Sequence, residues 1–141
     1  MKQNILLVDD DAAVRRMLRR VLEGEDYLVS CASTGEEALQ KAAGADIGLV
    51  LLDLTLPEAN GWETFERLSV ENPSLPVIII TARSNQLFPA LASGAGALME
   101  KPLDLPKLLR TIEDLLAEPA EARRARSAGR SGEFHYLPPS R

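Results

Sequence analysis

The chain has 141 residues, 45% of them hydrophobic and 26% charged, which is typical of a single globular domain that buries a core without disulfides. Its one cysteine, Cys31, excludes an internal disulfide framework and lacks partners at metal-ligand spacing. The net charge of −5 argues against a general nucleic-acid surface, and the apolar run at 5–8 is too short for a signal peptide or a membrane span, so a cytoplasmic location is expected.

Five short apolar runs alternate with amphipathic stretches along the chain. The first, third and fourth runs are continuously apolar, which is typical of strands that helices cover on both faces. The stretch after the first run has helical periodicity, with arginines on the side opposite to its apolar residues. The five predicted strands are Ile5–Val8, Tyr27–Cys31, Ile47–Leu52, Val77–Ile80 and Ala97–Met99.

Polar residues mark the predicted starts of several helices. Asp11 precedes the first helical pattern and Asp104 precedes the last, and both are candidate N-caps. Residues 33–37 have the sequence Ser-Thr-Gly-Glu-Glu, which offers a capping box for the second helix in either of two registers. Gly24 follows the first pattern as a stop signal.

These alternating elements predict an α/β fold. We expect a flavodoxin-like, doubly wound parallel sheet of five strands in the order 2-1-3-4-5, with helices on both faces. Residues 1–117 are predicted to form this domain, and residues 118–141 a flexible tail or linker, because Pro119 interrupts the last helical pattern. Residues 134–139 combine aromatics with prolines and are open to three interpretations: a disordered end, a docking peptide or the start of a linker to a further domain.

The residues directly after the predicted strands are the candidates for chemistry, because parallel sheets of this kind bind ligands beyond the carboxyl ends of their strands. The first strand is followed by Asp9 and Asp10, the third by Asp53, the fourth by Thr81 and the fifth runs into Lys101. In the order 2-1-3-4-5 these four strands are neighbours, so their end residues should converge.

Such a convergence of carboxylates requires a cation. Two carboxylates about 5 Å apart repel by roughly 3 kcal/mol at an effective dielectric of 20, and oxygen ligands of this kind suit Mg²⁺. Lys101 adds a positive charge and Thr81 a hydroxyl, both suited to phosphoryl oxygens. The set predicts that Asp53 is a nucleophile that accepts a phosphoryl group, with Lys101 and Thr81 stabilising charge.

Each of these residues also has a simpler interpretation. Helix capping alone could explain Asp11, and also Asp10, at the start of the first helix. Thr81 alone is an ordinary strand-end residue, and Lys101 alone is an ordinary surface lysine. The hypothesis therefore depends on their occurrence together at successive strand ends.

Over residues 3–117 the chain resembles the receiver domain of bacterial response regulators of two-component systems. The resemblance implies that Asp9, Asp10, Asp53 and the main-chain carbonyl of Thr55 hold Mg²⁺, and that Asp53 becomes an aspartyl phosphate paired with Lys101 and Thr81. It also implies a cis Lys101-Pro102 bond. The matching segments are Ile5–Asp10, Leu51–Pro57, Asn60-Gly61, Thr81-Ala82, Gly94-Ala95 and Lys101-Pro102.

The resemblance also implies partners. The phosphodonor would be a phosphohistidine on a sensor histidine kinase or a histidine phosphotransfer protein, a homodimer is left open, and this domain would not bind nucleic acid or membranes. No enzymatic turnover of a separate substrate is expected. His135, the only histidine of the chain, lacks a helical context, so it is predicted to be solvated and not a phosphodonor.

Two residues depart from the family pattern. Leu98 stands three residues before Lys101, where receivers usually have the aromatic residue that switches when the hydroxyl corresponding to Thr81 turns towards the phosphate. Pro89 lies within the short helical segment 84–93, which is therefore predicted to be kinked, to begin late or to be irregular. Both departures predict a muted or rerouted output.

Two other functions remain as alternatives. A degenerate receiver could serve only as a protein-interaction scaffold, although every residue needed for phosphorylation is present. A Mg²⁺-dependent phosphohydrolase with an aspartate nucleophile would need a second acid two residues after it, and Thr55 stands at that position.

Overall fold

The computed structural model of the protein describes residues 2–44, 46–55, 61–82, 86, 89–90, 94–127 and 134–140. Within these residues one parallel sheet has six strands in the order β2-β1-β3-β4-β5-β6. The strands are β1 (Asn4–Val8), β2 (Leu28–Ala32), β3 (Leu49–Asp53), β4 (Val77–Thr81), β5 (Ala97–Glu100) and β6 (His135–Leu137). The described helices are α1 (Ala12–Gly24), α2 (Gly35–Gly44), α3 (Gly61–Glu71), α4 (Leu105–Ala117) and α5 (Ala120–Ser127).

The core forms two layers, one on each face of the sheet. Successive side chains of a strand point to opposite faces, so Leu6 and Leu52 join the layer that contains Phe65 of α3. Ile5 and Leu51 join the layer that contains α1 and α4. This division explains why the strands are continuously apolar. The predicted fold class and the predicted order of the first five strands are confirmed.

The described helix starts have the predicted caps. The Asp11 carboxylate accepts hydrogen bonds from the backbone N–H of Ala13 at 2.9 Å and of Val14 at 3.4 Å. Asp104 accepts from the N–H of Lys107 at 3.2 Å. At α2 the register of Thr34 and Glu37 forms: Thr34 Oγ1 accepts from Glu37 N–H at 3.1 Å, and Glu37 Oε1 reaches back to accept from Ser33 N–H at 2.6 Å.

The number of strands in the sequence prediction was wrong. β6 lies in the segment predicted to be a flexible tail, and it pairs with β5 in parallel, with Leu98 opposite Tyr136. Its three residues are too few to show a strand periodicity, so only its place at the edge of β5 makes it a strand. His135 is partly buried in this strand rather than solvated. Where the domain itself ends stays a prediction.

Most of the segment 84–93 lies outside the described residues. Pro89 and Ala90 have helical backbone, and the N–H of Ala90 donates to the carbonyl of Gln86 at 3.0 Å. The predicted irregularity of this segment stays a prediction. In the described part of the chain no helix is both long and apolar enough to cross a membrane.

Candidate functional site

The polar residues that follow β1, β3, β4 and β5 meet at one edge of the sheet. The register places Asp53 opposite Ile80 and Thr81 opposite Glu100, so the ends of β3, β4 and β5 lie side by side. Asp9 follows β1, whose last residue pairs with the residue before Asp53. Parallel pairing of adjacent strands therefore brings the predicted residues together.

Three carboxylates form an acidic cluster at this edge. Asp9, Asp10 and Asp53 each offer an oxygen atom within 4.8 Å of the others. Asp9 and Asp53 are buried, whereas Asp10 is exposed. Two unit charges at that separation repel by roughly 3 kcal/mol at an effective dielectric of 20. Hard oxygen ligands with one side open to solvent are the donor set that Mg²⁺ prefers, so these residues fit the predicted cation.

Burial perturbs the pKa of the Asp9 carboxyl. Burial, together with the charge of Asp53, raises its pKa from 3.8 to about 6, even though a hydrogen bond from Asp11 N–H and the charge of Lys101 oppose the shift. The Asp11 N–H lies 2.9 Å from Asp9 Oδ1. The ionised form of Asp9 is therefore under-stabilised in the absence of a cation.

Each carboxylate oxygen of Asp53 accepts a hydrogen bond. Lys101 Nζ donates to Asp53 Oδ2 at 2.9 Å, and the backbone N–H of Thr55 donates to Oδ1 at 2.8 Å. Lys101 Nζ also lies 3.9 Å from Asp9 Oδ2. Burial lowers the pKa of Lys101, but the hydrogen bond and charge of Asp53 outweigh it and raise the pKa above its usual value. Lys101 is therefore a firmly protonated counter-charge beside a buried carboxylate.

Thr81 and the loop after β5 complete the edge. Thr81 is fully buried at the end of β4, and its carbonyl accepts from the N–H of Lys101 at 2.8 Å. The Lys101-Pro102 bond is cis, as predicted. Thr55, two residues after Asp53, is exposed. Residues 56–60, which include Pro57 and Asn60 of the matching segments, lie outside the described residues.

Leu98 lies inside the core rather than at the edge. It is fully buried, pairs with Ile79, and belongs to the same core layer as Ala90 and Ala95. The geometry thus gives Leu98 the place of a core side chain. Its predicted role as an altered switch stays a prediction.

Two further contacts at this edge are absent from the sequence prediction. Arg15 Nη1 donates to the main-chain carbonyl of Asp9 at 2.6 Å, although its helix position suggested only a solvated arginine. Tyr136 Oη donates to the carboxylate of Glu100, the residue before Lys101. The only sequence signal for the second contact was an acidic residue, Glu100, at the end of an otherwise apolar run. No local pattern links Arg15 to Asp9, which lies three residues before α1.

Comparisons with known proteins agree with this geometry. Residues 5–113 match the family described as the response regulator receiver domain. The chain is 40% identical over 116 residues to the transcriptional regulatory protein ZraR of Klebsiella oxytoca, a match that covers 81% of this chain and 26% of that protein. The chain thus spans about a quarter of the length of that relative.

Solved structures of the same shape come from several organisms. A CheY-like response regulator receiver domain protein of Methanospirillum hungatei has a TM-score of 0.79 at 32% identity, covering 82% of this chain and 94% of that one. The response regulator TrrA of Thermotoga maritima, in complex with Mg²⁺–BeF, has a TM-score of 0.75 at 28% identity, covering 80% and 98%.

Proposed function

The chain belongs to the response regulator receiver domain family, and on that basis we propose that Asp53 accepts a phosphoryl group from a phosphohistidine. The observation that carries this proposal is the pairing of a buried Asp53 with Lys101 at 2.9 Å inside a three-carboxylate cluster. A buried carboxylate with an adjacent protonated amine is preorganised to attack phosphorus and to receive the extra charge that results.

The transfer exchanges one bond for another. A carboxylate oxygen of Asp53 forms a bond to phosphorus while the phosphorus–nitrogen bond of the donor imidazole breaks, and that nitrogen keeps the electron pair. Lys101 Nζ, now on Asp53 Oδ2, is placed to donate to a phosphoryl oxygen afterwards. The buried hydroxyl of Thr81 supplies a second donor at the neighbouring strand end.

Mg²⁺ would be held by Asp9, Asp10 and Asp53, with the main-chain carbonyl of Thr55 as the further ligand that the family implies. When bound, the cation supplies positive charge to the carboxylates and to phosphoryl oxygens. The chain's own contribution is the fixed geometry of Asp9, whose main chain is tied to Arg15 and whose Oδ1 accepts from Asp11 N–H.

The donor would be a sensor histidine kinase or a histidine phosphotransfer protein in the cytoplasm. The domain would act as a regulator, without turnover of a separate substrate, without contacting nucleic acid itself, and with a homodimer as one route of output. A phosphohydrolase is disfavoured, because Thr55 stands where a general acid would be needed and its N–H already donates to Asp53. A pure scaffold would not need the Asp53–Lys101 pair.

The test is chemical labelling of the intact chain. Acetyl phosphate with Mg²⁺ should add one phosphoryl group, labile to hydroxylamine, as measured by intact mass. Asp53→Asn should abolish the addition, whereas Asp46→Asn, at an exposed acid outside the cluster, should leave it unchanged. Labelling that persists in Asp53→Asn would refute the assignment of the acceptor.

A further inference from the structure

Residues 134–140, here called the edge strap, cover the outer edge of β5. β6 within the strap pairs in parallel with β5, from Ala97 opposite His135 to Met99 opposite Leu137. The N–H of His135 donates to the carbonyl of Gly96 at 3.1 Å. The N–H of Ser140 donates to the carbonyl of Pro102 at 2.8 Å. The strap therefore runs along β5 and past the lysine that pairs with Asp53.

Two apolar side chains of the strap pack into the core. Leu137 is 5% exposed and joins the core layer that contains Leu108 and Ile112 of α4. Phe134 packs, partly buried, against the layer on the opposite face of the sheet. Tyr136 remains 45% exposed. An edge strand of three residues is at the low end of the strand lengths found in sheets, and such short edge elements are among the first to open.

A polar contact of the strap is made to the residue next to Lys101. Tyr136 Oη donates to the carboxylate of Glu100, which is itself buried. A buried carboxylate is costly unless hydrogen bonds replace its water, so the phenol stabilises the folded edge. Once the strap leaves, water reaches Glu100 and offsets part of the lost contact. The strap is thus held by an interaction that can be exchanged for solvent.

The residues that anchor the strap are neighbours of the residues that hold Asp53. Glu100 lies opposite Thr81 in the sheet and directly precedes Lys101, whose N–H donates to Thr81. Pro102, which accepts from Ser140, directly follows Lys101. Two of the strap's anchors, Glu100 and Pro102, are therefore the residues on either side of Lys101 in the chain.

We propose that the outer edge of β5 is a strand-binding surface, that its occupant is the chain's own edge strap, and that modification of Asp53 loosens the strap through Glu100 and Pro102. This coupling between Asp53 and the strap rests on the proposed phosphorylation of Asp53. The surface uses the same recognition as other sheet edges that bind an added strand, in which main-chain bonds and alternate side chains act together. Release of the strap opens that edge to a partner.

Amide hydrogen exchange on the full chain tests the coupling. Beryllofluoride with Mg²⁺ serves as the probe, and exchange of the peptide over 134–140 should accelerate at least tenfold, while β1 and β3 keep their protection. Asp53→Asn should abolish this response. In the chain without the probe, Tyr136→Phe should already accelerate exchange of the strap, whereas Tyr27→Phe, on the opposite side of the sheet, should not.

The affinity of strap variants for beryllofluoride gives an independent test, because coupling between two binding equilibria is reciprocal. If the probe loosens the strap, loss of the strap must tighten binding of the probe by the same factor. Leu137→Asp, which removes the buried side chain of the strap, should therefore bind beryllofluoride about tenfold or more tightly in a titration followed by Trp62 fluorescence. Tyr136→Phe should change the affinity in the same direction by a smaller factor. Val70→Asp, which adds the same charge at a side chain that is 82% exposed, is the matched control and should bind like the wild type.

The outcomes separate this proposal from the proposed function. If the probe protects residues 53–55 but the strap exchanges as before, the coupling is wrong and the phosphoacceptor assignment stands. If the probe protects nothing, the phosphoacceptor assignment fails and the coupling fails with it. If Tyr136→Phe leaves exchange of the strap unchanged, the Glu100 anchor is refuted whatever the probe does.

Discussion

Replacing Asp9 by asparagine should stabilise the Mg²⁺-free protein at neutral pH. The asparagine side chain keeps an oxygen that can accept the 2.9 Å hydrogen bond from Asp11 N–H, but it removes a charge that is buried near Asp53. Since burial and Asp53 raise the pKa of Asp9 from 3.8 to about 6, the folded state binds a proton at this carboxyl more tightly than the unfolded state does. Ionisation of Asp9 therefore costs the folded state free energy.

The size and the sign of the change in unfolding free energy follow from the linkage between proton binding and folding. The difference between 3.8 and about 6 corresponds to about 3 kcal/mol at most, since one pH unit is worth about 1.4 kcal/mol. In wild type this cost is absent below the unfolded pKa, grows as the pH rises from 3.8 to about 6, and is complete above it. The stabilisation by Asp9→Asn should have the same profile. At roughly 4 °C per kcal/mol for a chain of this size, the melting temperature at pH 7 should rise by at most about 12 °C.

Thermal melts in EDTA between pH 3.5 and 8 measure this profile. Asp10→Asn is the matched control, because Asp10 belongs to the same cluster but is exposed, and its effect should stay below about 1 kcal/mol. An Asp9→Asn variant that is no more stable than wild type at pH 7 would refute the reasoning. A stabilisation of the same size at pH 3.5 and pH 7 would show that it comes from something other than removal of the charge.

Three further predictions concern the cation, the output and the packing of the site. Millimolar Mg²⁺ should raise the melting temperature of wild type through binding to the folded state alone, and Asp10→Ala should diminish this rise; an undiminished rise would remove Asp10 from the ligand set. On addition of beryllofluoride with Mg²⁺, amide NMR shifts at Leu98 should stay well below those at Asp53, because leucine has no ring to reorient; shifts of equal size would show that the usual face still switches. Gly61→Ala should lower the free energy of unfolding by roughly 1 to 3 kcal/mol, because the added Cβ would lie 2.5 Å from Leu54 Cα and 2.7 Å from Leu54 O. An unchanged free energy of unfolding in urea melts would mean that the backbone at Leu54 shifts at little cost.

The strand-end positions of the site were predictable from the sequence because each is set by local pattern. A continuously apolar run identifies a covered strand, and the residue after it lies at the carboxyl edge of the sheet. Parallel topology then places Asp9, Asp53, Thr81 and Lys101 on neighbouring strands without any knowledge of the contacts between them. The helix caps at Asp11 and Asp104 were predictable for the same reason, since a cap involves residues two or three apart.

The remaining features depend on residues that are far apart in the chain. β6 is a strand because β5 offers an unpaired edge, and its own three residues have no periodicity that identifies one. The raised pKa of Asp9 requires its burial beside Asp53, more than forty residues away. The contact between Tyr136 and Glu100 joins the last strand to the acceptor edge. Sequence patterns determine which residues can form strands and site, whereas burial, charge proximity and edge pairing exist only once the chain has folded.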